Sequence, residues 1–337
     1  MLKSSACFAA LSILIASSAA AEGELNLYSS RHYDTDERLY SDFEEATGIT
    51  INRIEGKADE LIARMEAEGA NSPADILITV DTSRLARAKN AGILQSIDSP
   101  VLEELIPSNL QDDDNQWFGF SQRARIIFYD KETVENPPAT YLDLAKPEYQ
   151  GMVCIRSSSN TYNQTLLAAI VTNHGPDAAR AWADGVVNNM ARSPQGGDTD
   201  QLRGIISGEC SISVSNSYYF ARAMRKDVKG LSQDIDKIGF VFPAQDAEGA
   251  HMNLSGGGVA AHAPNKDNAI KFLEYLASDQ AQQYFSNGND EFPVVAGVPL
   301  AETVAKLGEF KADTVNLTEV AKNIPEAQII FNEAGWR

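Results

Sequence analysis

The sequence predicts an α/β protein in which helices cover both faces of a mostly parallel sheet. Short apolar runs alternate with stretches of helical period along most of the chain, and this alternation is typical of βαβ units. The length of 337 residues corresponds to about two domains of roughly 150 residues each. With 43% hydrophobic and 22% charged residues, the composition argues against a disordered or membrane-embedded chain.

The first 21 residues are predicted to be a secretory signal peptide that is not part of the fold. Lys3 precedes an apolar run from Ala6 to Ala16, and the small residues 19–21 provide an A-x-A cleavage site. A short buried N-terminal helix is the alternative. No later segment approaches the roughly 18 to 20 apolar residues that span a bilayer. We therefore expect an exported, soluble protein without direct insertion into the membrane.

The chain after the signal peptide begins with three predicted strand–helix pairs. The strands cover residues 24–29, 49–54 and 75–80, and the helices cover residues 36–47, 58–68 and 82–90. Leu39, Tyr40 and Phe43 share one face of the first helix, which is predicted to end at Gly48. Each pair is one unit of the predicted sheet.

A long extended stretch at 117–129 is predicted to run from one lobe into the next, and a second α/β unit follows it. The remaining strands are predicted at 151–155, 211–215 and 238–242, and the remaining helices at 162–172, 177–190, 199–207, 218–225, 266–277 and 279–286. Residues 317–330 are predicted to hold one or more helical stretches. The triple glycine 256–258 is interpreted as a tight turn beside a crossing between domains, with a phosphate-binding loop as the weaker alternative.

Charge and missing motifs narrow the function. Lys+Arg is 28 and Asp+Glu is 47, so the net charge is −19 and neither nucleic acid nor an anionic lipid surface is an expected partner. The chain contains no G-x-S-x-G elbow, P-loop, dinucleotide-binding glycine motif or H-E-x-x-H sequence. We therefore expect a protein that is not an enzyme.

Two cysteines, Cys154 and Cys210, remain once the signal peptide is removed. An even number of cysteines in an oxidising compartment favours a disulfide. It would close a loop of about 57 residues, worth about 4 kcal/mol in the chain-entropy model. Two buried free thiols are the alternative.

Tyrosines occur in three of the loops that join a strand to the next helix. Tyr33 follows the first strand, Tyr162 follows the Cys154 strand, and the pair Tyr218 and Tyr219 follows the Cys210 strand. Because ligands bind outside the carboxyl ends of the strands in an open α/β sheet, these loops are the informative ones. The spacing from cysteine to tyrosine is the same in the last two loops. Two parallel neighbouring strands would therefore place the cysteines level at one end and the tyrosines level at the other.

The residue types in these loops suggest a site for a highly charged metal ion. Each tyrosine lies at or near a helix N-terminus, which stabilises negative charge and would help the phenol to lose its proton. Arg222 falls one helical turn after Tyr218, and Arg31 is next to His32. A shell of phenolate oxygens with one imidazole suits a hard trivalent ion such as Fe³⁺ better than Zn²⁺. Tyrosine rings packed on the core, with His32 as a capping or surface residue, are the alternative.

Three segments of the sequence resemble the periplasmic ferric-iron-binding proteins of ABC transporters, in particular their tyrosine-rich branch. The segments are residues 28–36 (YSSRHYDTD), 155–164 (IRSSSNTYNQ) and 216–219 (NSYY), and the resemblance extends over essentially the whole chain after the signal peptide. It implies a two-lobed, hinged solute-binding fold in which each lobe is a mixed sheet flanked by helices. The N-terminal lobe is then expected at 22–122 and 249–299, and the C-terminal lobe at 123–248 and 300–337.

The resemblance also implies a ligand set. Tyr218 and Tyr219 correspond to iron ligands of the family, the tyrosine-rich branch adds Tyr33 and Tyr162, and His32 stands where many members have a ligating histidine. Another branch uses a carboxylate near the end of the third strand. Here Asp81 is expected to cap a helix instead.

The charge of such a site requires a cationic neighbour. Fe³⁺ with four phenolates carries a net charge of about −1, and a buried charge needs pairing. Arg222 is the first candidate, and Arg31, Arg123 and Arg125 are the others. Charge alone requires no further anion, although carbonate or water could fill a sixth position.

The resemblance implies capture of ferric iron in the periplasm and its delivery to an inner-membrane ABC permease. The signal peptide predicts Sec-type export, and we expect a monomer. The first alternative is the same fold serving another solute, such as an oxyanion, a polyamine or a thiamine-like cation. The second is a secreted enzyme with a Tyr or His as acid or base. The visible spectrum after ferric loading distinguishes the iron protein from both.

Overall fold

The computed structural model describes residues 23–31 and 33–337, so the predicted signal peptide and His32 lie outside the described residues. The strands are β1 Gly23–Ser29, β2 Ile49–Glu55, β3 Ile76–Thr79, β4 Phe118–Asp130, β5 Val153–Cys154, β6 Ile212–Asn216, β7 Ile238–Val241, β8 Met252–Val259 and β9 Phe292–Pro293. The α-helices are α1 Glu37–Thr47, α2 Ala58–Glu68, α3 Thr82–Asn90, α4 Pro100–Leu105, α5 Thr161–His174, α6 Pro176–Asn189, α7 Asp198–Ile206, α8 Ser217–Arg225, α9 Lys266–Leu276, α10 Asp279–Asn289, α11 Glu302–Ala305, α12 Leu317–Lys322 and α13 Ile324–Glu333. Short 3₁₀ helices cover Asp34–Asp36, Gly69–Asn71, Ser108–Leu110, Leu142–Ala145, Pro147–Tyr149 and Ser232–Lys237.

The three strand–helix pairs predicted at the start of the fold are confirmed. In α1 the residues Leu39, Tyr40 and Phe43 are buried, as their spacing predicts. The helix ends at Gly48, which has φ of 72° and donates its N–H to the carbonyl of Glu44. Glycine adopts this left-handed conformation without steric cost, so α1 stops here and the chain turns directly into β2.

The sheet order is β2-β1-β3-β8-β4-β6-β5, with β7 and β9 also pairing with β4. β1 pairs in parallel with β2 and β3, and β5 pairs in parallel with β6, whereas the pairings of β4 and β8 are antiparallel. The mostly parallel sheet expected from the βαβ pattern is therefore wrong. The prediction fails because the strands at the centre of the fold, β4 and β8, are crossing segments and not parts of βαβ units. The mixed sheet with flanking helices is confirmed.

The long strand β4 connects two groups of strands. From Phe118 to Ala124 it pairs with β8, and from Arg125 to Asp130 it pairs with β6 and β7. We call the elements around β1, β2 and β3 the first lobe, and those around β5, β6 and β7 the second lobe. The extended stretch predicted at 117–129 is thus confirmed as the strand that links them.

The triple glycine lies inside β8 and does not form the predicted turn. Gly256, Gly257 and Gly258 are buried between β3 and β4. A Cβ atom on Gly257 would lie 2.8 Å from the carbonyl oxygen of Leu77, and one on Gly258 would collide with the carbonyl of Gln116. Glycine is required here because it lets the neighbouring backbones approach closely.

The predicted disulfide between Cys154 and Cys210 is present, with the two Cα atoms 5.7 Å apart. The prediction that the two cysteines lie level on neighbouring strands is wrong, however. Cys154 pairs with Ser213 in the parallel ladder, so Cys210 precedes that position by three residues, just before β6. The disulfide therefore runs obliquely between the end of β5 and the segment that leads into β6.

The C-terminal stretch 317–330, which is predicted to hold one or more helical stretches, contains α12 and most of α13. α12 ends at Lys322 and α13 begins at Ile324, with Pro325 in its first turn. Proline has no N–H to continue a helix from the preceding turn, so the break falls there. Among the described residues, no helix combines the length and the apolar character needed to cross a bilayer.

Candidate metal centre

The four tyrosines highlighted by the sequence come from three strand-to-helix connections, as predicted. Tyr33 lies just after β1, Tyr162 lies in the first turn of α5, and Tyr218 and Tyr219 lie in the first turn of α8. Because β5 and β6 are parallel neighbours, their carboxyl ends lie at the same edge of the sheet. The helices that follow therefore begin side by side.

The tyrosines of the second lobe are in direct contact. The hydroxyl oxygens of Tyr162 and Tyr218 lie 3.5 Å apart. The rings of Tyr218 and Tyr219 are 4.2 Å apart between centroids. Three phenolic groups thus lie together at the start of α5 and α8.

Tyr33 approaches this cluster from the first lobe. The guanidinium carbon of Arg222, on α8, lies 6.0 Å from the centre of the Tyr33 ring and 5.3 Å from that of Tyr218. Both rings therefore share one arginine, although their residues belong to different lobes. His32, the fifth predicted ligand, lies outside the described residues.

Burial favours the protonated form of Tyr33, Tyr218 and Tyr219 in the metal-free protein. Burial raises the pKa of Tyr33 to about 12, and the negative charge of Glu291 adds to the effect. The pKa of Tyr218 is raised well above its usual range by burial, and then by the charges that Tyr162, Tyr219 and Tyr33 would carry. Burial likewise raises the pKa of Tyr219. The expectation that the helix N-termini would favour phenolates is therefore wrong for the metal-free site, because desolvation outweighs the helix dipole.

Arg31 is held by buried carboxylates. Its Nε donates to Asp36 at 2.9 Å and its Nη1 donates to Glu291 at 3.2 Å. Its guanidinium carbon also lies 4.9 Å from the centre of the Tyr33 ring. Arg31 therefore fixes the start of the Tyr33 loop, while its charge is largely balanced by the two acids.

Arg125 has a similar structural role on the other side of the site. It donates to Asp198 at 2.7 Å, to Asn163 at 2.8 Å and to Asn216 at 3.2 Å. The contacts join β4 to the N-termini of α7 and α5 and to the end of β6. Its guanidinium carbon lies 5.9 Å from the centre of the Tyr162 ring.

Arg123 differs in how much of its guanidinium is left unpaired, because Arg125 leaves only its Nε without a partner among the described residues. Its Nη1 donates to Ser255 at 2.8 Å and lies 3.6 Å from Glu291. Its Nε and Nη2 are buried and have no hydrogen-bond partner among the described residues. The guanidinium carbon lies 5.5 Å from the centre of the Tyr162 ring. Buried donors without partners are costly, so this group is suited to an anionic oxygen at the site.

Arg222, the first candidate for neutralising the site, has weaker contacts of its own. Its Nη2 donates to the carbonyl of Asn289 at 3.3 Å, and its Nε lies 3.8 Å from Asp290. Its charge is therefore shared between Asp290 and the two tyrosine rings.

Asp81 caps α3, as predicted, by accepting a hydrogen bond from the amide of Ser83 at 2.8 Å. The carboxylate also accepts from Asn253 at 2.7 Å and from Thr165 at 3.0 Å. These contacts occupy both of its oxygens.

Two buried acids close to the tyrosines were not found by sequence reasoning. Glu291 pairs with Arg31 and Arg123, and Asp198 pairs with Arg125 and contributes to the raised pKa of Tyr219. No local motif marks either residue, because each reaches the site only through the sheet topology. In the described part of the chain, no group of three or more His, Cys, Asp or Glu side chains could hold a metal ion.

A cleft of about 890 Å³ adjoins the tyrosines and is lined by both lobes. Its walls include Ser30, Lys57 and Arg84 from the first lobe, and Arg156 and Thr161 from the second. Thr161 immediately precedes Tyr162, so the cleft provides space beside the candidate ligands, and its lining carries the acids Glu55, Asp59 and Asp81 as well as the three basic side chains.

Comparison with known proteins identifies similar chains. Residues 71–312 match the family of bacterial extracellular solute-binding proteins. Iron uptake protein A1 from Synechocystis is 47% identical over 324 residues, which cover 96% of this chain and 90% of that protein.

Solved structures are similar over nearly the whole chain. A Trichodesmium protein in complex with iron and citrate ligands has 50% identity and a TM-score of 0.90, with 94% of this chain and 100% of that chain covered. Ferric iron-binding protein A from Mannheimia haemolytica, in an open conformation, has 42% identity and a TM-score of 0.87, with 93% and 99% covered.

Proposed function

Because the chain belongs to the bacterial extracellular solute-binding proteins, we propose that it captures ferric iron between its two lobes and delivers it to an inner-membrane ABC permease. The observation that carries this proposal is the approach of four tyrosines from both lobes, with the hydroxyls of Tyr162 and Tyr218 only 3.5 Å apart. A core tyrosine satisfies its hydroxyl with its own partner and does not need a cluster of phenols.

The proposed ligands are Tyr33, Tyr162, Tyr218 and Tyr219, with His32 as a further ligand. Phenolate oxygens are hard donors, and a small trivalent ion such as Fe³⁺ prefers them to the softer sulfur and imidazole ligands. The metal must displace the phenolic protons, which burial otherwise retains. Ferrous iron, with less charge, competes less well with those protons, so reduction offers a route for release.

An anion is proposed to complete the coordination. Arg123 has two buried donors without partners beside Tyr162, and such donors suit a carbonate or carboxylate oxygen. The similar Trichodesmium protein binds citrate together with iron, and the cleft next to Tyr162 has room for a small organic anion. Arg222, between Tyr33 and Tyr218, is proposed to balance the negative charge of the ferric complex.

Ligands from both lobes would make iron binding favour the closed arrangement. An ion that contacts Tyr33 on one side and Tyr218 on the other binds this arrangement more tightly than one with the lobes apart. The protein would act as a monomeric carrier in the periplasm, reached through its signal peptide, and would perform no chemistry beyond binding and release.

Loading with ferric citrate tests the proposal. We expect a visible charge-transfer band from tyrosinate to Fe³⁺, which Tyr218→Phe and Tyr219→Phe weaken together with iron affinity. Tyr149→Phe is the control, because the hydroxyl of Tyr149 donates to the carbonyl of Asn136, away from the four tyrosines. A protein that stays colourless would contradict the proposal and favour another solute. His32→Ala decides the fifth ligand, since only a ligating histidine alters the band.

A further inference from the structure

The carboxylate of Asp81 joins three parts of the fold. It is fully buried at the start of α3, in the first lobe, where it caps its own helix through the amide of Ser83. It accepts a hydrogen bond from Asn253 on the crossing strand β8, and another from Thr165 on α5, in the second lobe. A hydrogen bond between the lobes therefore ends on a charged acceptor that is already held in place.

Thr165 has two acceptors for one hydroxyl proton. Its Oγ1 lies 3.0 Å from Asp81 and 2.9 Å from the carbonyl of Thr161, one turn earlier in α5. A bond to a carboxylate is stronger than a bond to a neutral carbonyl, so the contact with Asp81 is preferred while the lobes are together. If the lobes separate, the Thr165 hydroxyl keeps its hydrogen bond to the carbonyl of Thr161. Asp81 then keeps the hydrogen bonds that it accepts from Ser83 and Asn253.

This exchange makes the contact reversible. Opening a buried polar contact normally leaves an unsatisfied group, which costs more than the bond itself contributes. Here neither partner loses all of its hydrogen bonds, so opening costs only the difference between a charge-assisted bond and a neutral one. The contact can bias the arrangement of the lobes without locking it.

Thr165 also lies one helical turn after Tyr162, on the same side of α5. Whatever fixes Thr165 against the first lobe therefore fixes the direction from which Tyr162 enters the site. This orientation must place Tyr162 close enough to Tyr33, the candidate ligand from the first lobe, for both to bind one ion.

We propose that the hydrogen bond between Thr165 and Asp81 is a latch that favours the closed arrangement of the lobes and slows iron release. Both are positioning residues, because they act through α5 and Tyr162 and do not touch the metal. The statement about iron rests on the proposed function, whereas the statement about the lobes does not.

The effect of this hydrogen bond is measured as the rate of iron release to a chelator, which is monitored through the loss of the visible band. Thr165→Val has nearly the same shape but no hydroxyl, and we expect iron release to become faster by on the order of tenfold. Thr165→Ser restores the hydroxyl and should return the rate close to that of the unmodified protein. The wavelength of the band should not change in either variant, because every tyrosine oxygen is retained.

Thr172→Val is the matched control. Thr172 lies two turns further along α5 and donates to the carbonyl of Ala168 in the same way. Its oxygen also accepts from Asn323, so Thr172→Val likewise loses a second hydrogen bond, but not one with Asp81. Equal release rates for Thr165→Val and Thr172→Val would overturn the latch.

Small-angle X-ray scattering of the metal-free variants separates this proposal from the function. Thr165→Val should increase the radius of gyration relative to Thr172→Val, since its lobes are open for more of the time. If the unmodified protein takes up no ferric iron, the proposed function fails and this comparison alone decides the latch. Identical scattering in that case would overturn it.

Discussion

The hydroxyl oxygens of Tyr162 and Tyr218 lie 3.5 Å apart, at the first turns of two helices that follow neighbouring parallel strands. Two phenolates at this distance would repel each other strongly in a buried site. The pair is therefore stable only while protonated or while a cation lies between the oxygens. If both tyrosines bind iron as proposed, this relationship couples iron capture to proton release.

Iron binding should release one proton for each tyrosine that becomes a ligand. Tyr33, Tyr218 and Tyr219 have raised pKa values because they are buried, so they are protonated at neutral pH before the metal arrives. Acid restores those protons, and the apparent affinity should fall about tenfold per pH unit for each proton displaced. Titration of a weakly buffered solution with a ferric chelate counts the protons. Tyr162→Phe should release one fewer, and an unchanged count would remove Tyr162 from the ligand set.

Arg123 and Arg125 should differ in what their loss affects. Arg123→Gln removes the unpaired donors beside Tyr162, while Glu291 keeps its pair with Arg31. We expect a loss of iron affinity of about tenfold or more, a weaker dependence on added bicarbonate or citrate, and a nearly unchanged unfolding free energy.

Arg125→Gln instead weakens the buried pair with Asp198 and should lower the unfolding free energy by about 3 kcal/mol or more. Denaturant unfolding of the metal-free variants, combined with iron titration, separates the two effects. A reversal of the roles, with Arg123→Gln destabilised and Arg125→Gln intact, would refute the distinction.

Loss of the disulfide should destabilise the second lobe. Replacement of both Cys154 and Cys210 by Ser reopens the loop, and we expect the free energy of unfolding to fall by about 4 kcal/mol. The disulfide packs against Gly204 of α7, so it is also shielded from reductants in the folded protein. Thiol titration after unfolding without reductant should detect no free thiol in the exported protein. Two thiols would show that the bridge does not form in the cell.

His251 should make the protein less stable in mild acid. It is buried, and both ring nitrogens lack hydrogen-bond partners within the described residues. Burial, and then the charges of Arg125 and Arg123, lower its pKa to about 3. The unfolded chain takes up the proton near pH 6.5, so stability is full above that pH and is lost as the pH falls toward 3, by up to about 1.4 kcal/mol per unit.

Replacement of His251 by Phe should flatten this dependence, as measured by denaturant unfolding at a series of pH values. His262, which is exposed, provides the control. An equal change of slope in His262→Phe would show that His251 is not the cause.

The sequence predicts the location of the tyrosines well because their positions follow from local features. A strand end, a helix start and the carboxyl edge of a sheet are all readable from a short window. The acids Glu291 and Asp198 were not predictable, because they approach the site through pairing between distant segments. The triple glycine misleads for the same reason: its cause is the close approach of Leu77 in β3 and of Gln116 in the segment before β4.

The 13-residue strand β4 should make the two lobes unfold together. Its first part completes the sheet of one lobe and its second part completes the sheet of the other, and the lobe boundary expected at residues 122 and 123 lies within it. A cut at that boundary would leave each fragment with an unpaired sheet edge. Heating should therefore melt both lobes in one calorimetric transition, and neither fragment should fold when expressed alone.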